Sequence, residues 1–335
     1  MSITSRSDDL PRFHFIAGEA TPPSAPRTGG RASPRIRPMR VALASFEGMV
    51  AQFADEDERL LAALSDAGVT AAIVAWDEPD ADWEAYDGVI VRSTWDYSWR
   101  RDEFVAWAES VGDRLHNSPA VIRWNSDKRY VGDIADAGLP AVETTYLDPG
   151  DEVPELPGEL VVKPTLSAGG RDTGRFSRET HADARALIET IHRSGRTAMI
   201  QPYLGSVDER GETAVILLDG EPSHVLLKHA VLRPDEVAPV RDDAIGAAEV
   251  MYDPGLVVAG SADDDELELA REIVRHVHER TGYLPLYARV DMVAGEDGRP
   301  VLMELEAVEP NFYFNMSPGA AERVATAIAE RVGAA

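Results

Sequence analysis

Apolar residues first recur in a regular pattern at residues 40–46, RVALASF, which predicts a short strand. Residues 56–68, EDERLLAALSDAG, then place Leu60, Leu61 and Leu64 on one helical face and stop at Gly68. TAAIVAW (70–76) follows as a strand, and YDGVIVRSTWDY (86–97) as a strand that runs out into polar residues. That order predicts a parallel sheet built from βαβ units. DEFVAWAESVGDRL (102–115) supplies the next helix. NSDKRYVGDIADAGLP (125–140) reads as another, with Asn125 or Ser126 as N-cap and Gly-Leu-Pro as its exit.

The texture changes after residue 150. GELVVKPTLSAGGRDTGRF (158–176) reads as a strand, a glycine-rich loop and a returning strand, and HADARALIETIHRSG (181–195) as a helix. TAMIQPYL (197–204), ETAVILLDGEPSHVLLKHAVL (212–232) and LYARVDMVAGEDGRPVLMELEAV (286–308) are antiparallel hairpin material, with DGE and EDGR as turns. ADDDELELAREIVRHVHERTG (262–282) is a helix with acids at its start and bases towards its end, which suits the helix dipole. The fold class is therefore α/β first and α+β after.

Residues 1–38 break the pattern. They hold six arginines and three acids among Pro, Ser and Gly, and their composition predicts a disordered extension. Met39 is an alternative start. The extension has no apolar core of signal-peptide length.

The chain of 335 residues carries 33 Lys and Arg against 59 Asp and Glu, a formal charge of −26. Such a surface disfavours nucleic acid and anionic membranes as partners. No apolar run approaches the ~20 residues of a membrane span. The chain has no cysteine, which removes disulfides, thiolate metal sites and a cysteine nucleophile, and fits a cytoplasmic protein.

Candidate chemistry lies where charges interrupt apolar strands. With Asp297 and Gly298 as a two-residue turn, Asp291 faces Glu304 and Arg289 faces Glu306, all on one side with Leu302. Carboxylates directly opposed are destabilising unless a cation lies between them. An oxygen-only set suits Mg²⁺ or Mn²⁺. An edge hairpin with its charged face in water is the other reading. Lys163 ends an apolar strand before Ser167, Gly169 and Gly170, a loop whose backbone N–H groups can cradle phosphate, although it is not a P-loop. Gln201-Pro202-Tyr203-Leu204 is a proline-stiffened linker whose free backbone groups suit a flat heterocycle, or a plain connection. Glu212 opens the next strand, and Lys228 closes another.

In order along the chain, Lys128, Lys163 with its glycine loop, the Gln201 linker with Glu212, Lys228, Arg289-x-Asp291 and Glu304-x-Glu306 resemble the ATP-grasp superfamily of carboxylate–amine ligases. The resemblance runs from about Met39 to the C-terminus. The gap from Asp291 to Glu304 is similar to that of D-alanine–D-alanine ligases and glutathione synthetases. It implies an ATP-grasp fold with ATP sandwiched between two α+β subdomains behind a parallel-sheet domain. The expected divisions are 39–118, 119–204 with a flap at 165–175, and 205–335.

Roles follow from the same resemblance. Lys128 and Lys163 are expected on the ATP phosphates under a flap, with Gln201, Tyr203 and Leu204 on adenine and Glu212 on ribose. Lys228 and Arg289 would stabilise the transferred phosphoryl group and the acyl phosphate. Asp291, Glu304 and Glu306 would bind two Mg²⁺. Many relatives have Glu-x-Asn where this chain has Glu304-x-Glu306. VRSTWDY, GETAVILLDGEPSHVLLK and ELEAVEPN also resemble the ligases that close cycloserine from O-ureidoserine.

Arg92, Ser93, Thr94, Trp95, Asp96 and Tyr97 follow the carboxyl end of a parallel strand, where open α/β sheets bind ligands. Arg92 is the candidate for a substrate carboxylate and Trp95 and Tyr97 for pocket walls, or the segment is a structural corner. Asn311 is a further substrate-side candidate. The implied activity is an ADP-forming ligase joining a small-molecule carboxylate to an amine, within one molecule or between two. A second copy of the chain is a candidate partner. A kinase on the same fold and a nucleotide-binding regulator are the rival readings.

Overall fold

A computed structural model describes residues 37–46, 51–239 and 247–334. The extension at 1–38 lies outside the described residues apart from its last two positions. Among the described residues fourteen strands appear in chain order: β1 (Arg40–Ser45), β2 (Thr70–Ala75), β3 (Gly88–Val91), β4 (Leu115–His116), β5 (Thr145–Leu147), β6 (Leu160–Pro164) and β7 (Gly174–Phe176). They continue as β8 (Ala198–Pro202), β9 (Glu212–Leu218), β10 (Glu221–Lys228), β11 (Glu236–Val237), β12 (Val257–Ala259), β13 (Tyr287–Ala294) and β14 (Pro300–Glu306).

The first sheet is parallel, in the order β2-β1-β3-β4. Its central strand is buried on both faces, as parallel strands are when helices cover each side. Val41 and Leu43 pack with Leu60 and Leu64 of the helix Ala51–Asp66. Ala42 and Ala44 belong to the opposite core, with Phe104 and Trp107 of the helix Arg101–Val111. The last helix, Ala320–Gly333, returns to this region and buries Val324 and Ile328 in the first of these cores.

The other two sheets are antiparallel. One runs β11-β7-β6-β8-β5, and the helix His181–Arg193 packs Ile188 and Ile191 against Leu160 and Val162. The other runs β12-β10-β9-β13-β14, where the helix Asp264–Thr281 packs Ile273 and Val277 against Val215 and Val290. That helix starts on a capping box, with Asp263 accepting from the Glu266 amide at 2.9 Å. β9 and β10 turn through Asp219 and Gly220, both at positive φ, the twist a two-residue hairpin needs. Segment 205–335 therefore lends β11 to the second sheet and its last helix to the first core.

The helix expected from Asn125 or Ser126 is two short ones, Pro119–Asn125 and Tyr130–Asp136. Neither polar residue caps it. Asn125 instead receives the Ala307 amide at 2.7 Å and donates to the Leu305 carbonyl at 2.9 Å. It thereby fixes the backbone just beyond β14. No helix among the described residues is long and apolar enough to cross a membrane.

Candidate active site

β13 and β14 pair with Arg289 opposite Glu306 and Asp291 opposite Glu304. The expected register holds at the acids, but it is reached differently. The loop spans residues 295–299, closed by the Gly295 amide on the Arg299 carbonyl at 2.8 Å. The pairing then slips by one residue at a bulge next to Met303. Wider turn and bulge cancel. The bulge also corrects one orientation: Leu302 is buried on the opposite side with Met292 and Leu305, and Met303 takes its place on the cavity wall.

Carboxylate oxygens of Asp291, Glu304 and Glu306 lie within 4.8 Å of one another. Arg289 donates to both oxygens of Asp291, at 2.8 and 2.9 Å, and to Glu306. Lys228 donates to Asp291 at 2.7 Å and to Glu212 at 2.9 Å. Lys128 lies 3.3 Å from Glu304. Burial alone would push these acids up, but the nearby arginine and lysine hold the Asp291 carboxyl well below the usual range. Burial is likewise overcome at Glu304, which Lys128, Lys163 and Lys228 hold down to about 2. At Glu306 burial outweighs Arg289, and the carboxyl is raised. The three acids form an oxygen-only donor set that fits a hard divalent cation.

Lys163 projects into the same cavity from β6, and among the described residues no hydrogen bond or ion pair engages its amine. Burial lowers its pKa, only partly countered by Glu304. An unpaired, half-buried cation facing a cavity calls for an anion. The glycine-rich loop folds over this point. Lys128 donates to the Ser167 carbonyl at 2.8 Å, and the Ala248 amide to the Gly169 carbonyl at 2.7 Å. Gly169 and Gly170 both have positive φ, and a Cβ on Gly169 would meet that of Ala247 at 2.6 Å, so glycine is required there. Arg171 stacks on Trp99 at 3.3 Å and donates to Ser98 at 3.3 Å, tying the loop to the first sheet's segment.

Gln201, Pro202, Tyr203 and Leu204 line the cavity where β8 ends. Gln201 donates to Thr144 at 2.9 Å, and Tyr203 to Asp208 at 2.7 Å, so both side chains are held by the protein. Glu212 also lines the cavity, bound to Lys228. The whole cavity measures about 260 Å³.

The substrate-side candidates divide. Trp95, Tyr97, Arg289 and Asn311 line the cavity, whereas Arg92, Ser93, Thr94 and Asp96 are not among its walls. Arg92 is 2% exposed and consumed internally: it donates to the Pro310 carbonyl at 2.9 Å, lies 3.4 Å from Asp57 and stacks on Phe312 at 4.2 Å. Ser93 donates to Asp57 at 2.6 Å, Asp96 receives Trp76 at 3.0 Å, and Thr94 is wholly buried. The expected carboxylate anchor is thus a brace for the loop that carries Asn311. Glu56 completes it, accepting the amides of Phe312 and Phe314 at 2.9 Å.

Among the cavity residues that the sequence did not single out are Glu309 and Tyr313. Glu309 is buried, and burial, reinforced by Glu306, pushes its carboxyl up to about 8. Its place three residues beyond Glu306 was the available signal.

Residues 41–117 match the family model "D-cycloserine synthetase DcsG, N-terminal domain", and residues 151–285 match "Prokaryotic glutathione synthetase, ATP-grasp domain". The chain is 33% identical over 288 residues to the cycloserine biosynthesis protein DcsG of Streptomyces lavendulae, covering 82% of this chain and 92% of that protein. The crystal structure of D-cycloserine synthetase DcsG superposes with a TM-score of 0.77 at 31% identity, over 88% of this chain and 99% of that one. A D-alanine–D-alanine ligase from Bacillus anthracis in complex with ATP shares the fold, with a TM-score of 0.62 at 16% identity over 88% and 98% of the two chains.

Proposed function

The chain belongs to the ATP-grasp ligases, ADP-forming carbon–nitrogen ligases that use ATP and a divalent metal, and we propose that it closes an amino-acid-like substrate on itself to a cyclic amide of the cycloserine type. The carrying observation is a cavity on which Glu304 and Glu306 converge with Lys128, Lys163, Lys228 and Arg289, with Asp291 buried directly behind them within 4.8 Å of both acids. The likeness to D-cycloserine synthetase over nearly its whole length supports O-ureidoserine as the substrate.

In this reading Lys128 and Lys163 bind the ATP phosphates beneath the Ser167–Gly174 loop. Backbone groups of Gln201 to Leu204 hold adenine, and Glu212 holds ribose. Asp291, Glu304 and Glu306 would hold Mg²⁺ or Mn²⁺, one ion or two, which would neutralise charge on the phosphate oxygens. A substrate carboxylate oxygen attacks the γ-phosphorus and ADP leaves, giving an acyl phosphate. Lys228 and Arg289 sit where negative charge develops on the transferred group, the largest contribution to such catalysis. The oxygen-bound nitrogen of the ureido group then attacks the acyl carbon, loses its proton, and phosphate departs. The closed glycine loop keeps water from the acyl phosphate. The wall's remaining task is to hold the two ends of one molecule in contact. The three-part division at residues 118 and 204 belongs to the same proposal.

ADP release that depends on O-ureidoserine tests this function, with the product detected by mass as the ring still carrying its carbamoyl group, one water lighter, or as the free ring after water has removed that group as carbon dioxide and ammonia. A stable phosphorylated substrate would identify a kinase instead, and ATP binding without turnover a regulator.

A further inference from the structure

Every other acid that lines the cavity or lies directly behind it already has a cation. Glu212 and Asp291 share Lys228, Asp291 and Glu306 share Arg289, and Glu304 has Lys128. Glu309 differs. It is 8% exposed and lines the cavity together with Tyr97, yet among the described residues no Lys, Arg or His forms an ion pair with it. A buried carboxylate without a cation is costly. Trp95 and Tyr313 wall the same cavity, and aromatic faces favour an ammonium group.

Its place in the chain fits a ligand rather than the fold. Glu309 follows Glu306 on the loop that Arg92 and Glu56 brace through Pro310, Phe312 and Phe314. That loop therefore presents the carboxylate from a fixed backbone, beside the acids and Arg289. An α-amino acid carries its ammonium two bonds from the carboxylate that must be activated. From this geometry we infer that Glu309, on the cavity wall it shares with Tyr97, is the residue that binds the substrate's α-ammonium group and so restricts the enzyme to free amino acids. This rests on the ligase reading above and assigns the specificity of the same site.

The test is calorimetric binding of O-ureidoserine and of its N-acetyl derivative to the full-length enzyme with Mg²⁺ and a non-hydrolysable ATP analogue, combined with steady-state ADP release. Wild type should bind the free amino acid at least about 10-fold more tightly than the acetylated one, as expected for a charge-assisted pair. E309Q should lose that preference, raise KM for O-ureidoserine about 10- to 100-fold, and leave KM for ATP unchanged. Y97F should shift in the same direction by less, and it keeps the inference testable should E309Q fold poorly. Equal binding of both compounds by wild type, or retained discrimination in both variants, overturns the inference. A kcat loss at unchanged KM also overturns it, and marks proton transfer as the role of Glu309. A wild-type enzyme that binds neither compound overturns the substrate reading itself, and this inference with it.

Discussion

Asp291 and Glu304 stand directly opposite each other on adjacent antiparallel strands, with Asp291 wholly buried. Like charges so placed repel. Lys228 and Arg289 on one side and Lys128 on the other make the pair tolerable, and the third acid, Glu306, completes an arrangement that fits a divalent cation.

Glu304→Gln should therefore separate chemistry from folding. Turnover is expected to fall at least about 100-fold, the scale of losing one preorganised charge contact. The unfolding midpoint without metal should stay within about 5 °C of wild type. The rise in midpoint on adding Mg²⁺ with ADP should shrink or vanish. Thermal scans with and without Mg²⁺ check all of this, and an undiminished rise would show that the cation binds elsewhere.

The stacking of Arg171 on Trp99 predicts a coupling defect. Arg171→Ala removes both ties of the glycine-rich loop to the segment beside Tyr97, and Trp99→Ala removes the stacking one. Water should then reach the acyl phosphate, so that ADP released per cyclised product rises about two-fold or more. Parallel assays of ADP and product give the ratio. A lower rate at an unchanged ratio would mean that the contact serves closure alone.

His116 predicts a pH dependence of stability. Burial, with Arg331 adding to it, lowers its pKa from 6.5 to about 4, and its Nδ1 lies 2.7 Å from the Tyr283 hydroxyl. A lowered folded-state pKa means the unfolded chain takes up the proton first as pH falls. The contribution is complete above pH 6.5 and is lost on descent towards pH 4, by up to about 3 kcal/mol. Comparing the midpoints of wild type and His116→Gln at pH 7 and pH 5 isolates it. The variant should lose less stability between the two, and identical losses would contradict the assignment.

Periodic segments were legible in the sequence because each buries one face or two. The continuous apolar run of β1, buried on both faces, and Leu60 and Leu64 one turn apart on the first helix are of this kind. The register at Asp291 and Glu304 was legible for a less direct reason, since a five-residue loop and a one-residue bulge offset each other. The bulge itself left no local mark, and so Leu302 turned up on the far face. Lys163 was visible as a charge ending an apolar strand. Arg92 misled for the converse reason: a charge after an apolar strand looks the same whether it meets a ligand or, as here, Asp57 and a carbonyl 218 residues away. Glu309 offered only its spacing from Glu306, and the clamp by Asn125 depends on which distant backbone approaches it, which spacing does not encode.

The most direct measurement of the central claim is isotope transfer. O-ureidoserine carrying ¹⁸O in both carboxyl oxygens is turned over with ATP and Mg²⁺, and phosphate and product are weighed by mass spectrometry. Activation through an acyl phosphate at the Lys228–Arg289 side of the cavity predicts one ¹⁸O in the released phosphate and one in the ring carbonyl. Phosphate free of ¹⁸O alongside a doubly labelled or unreacted carboxylate would contradict it.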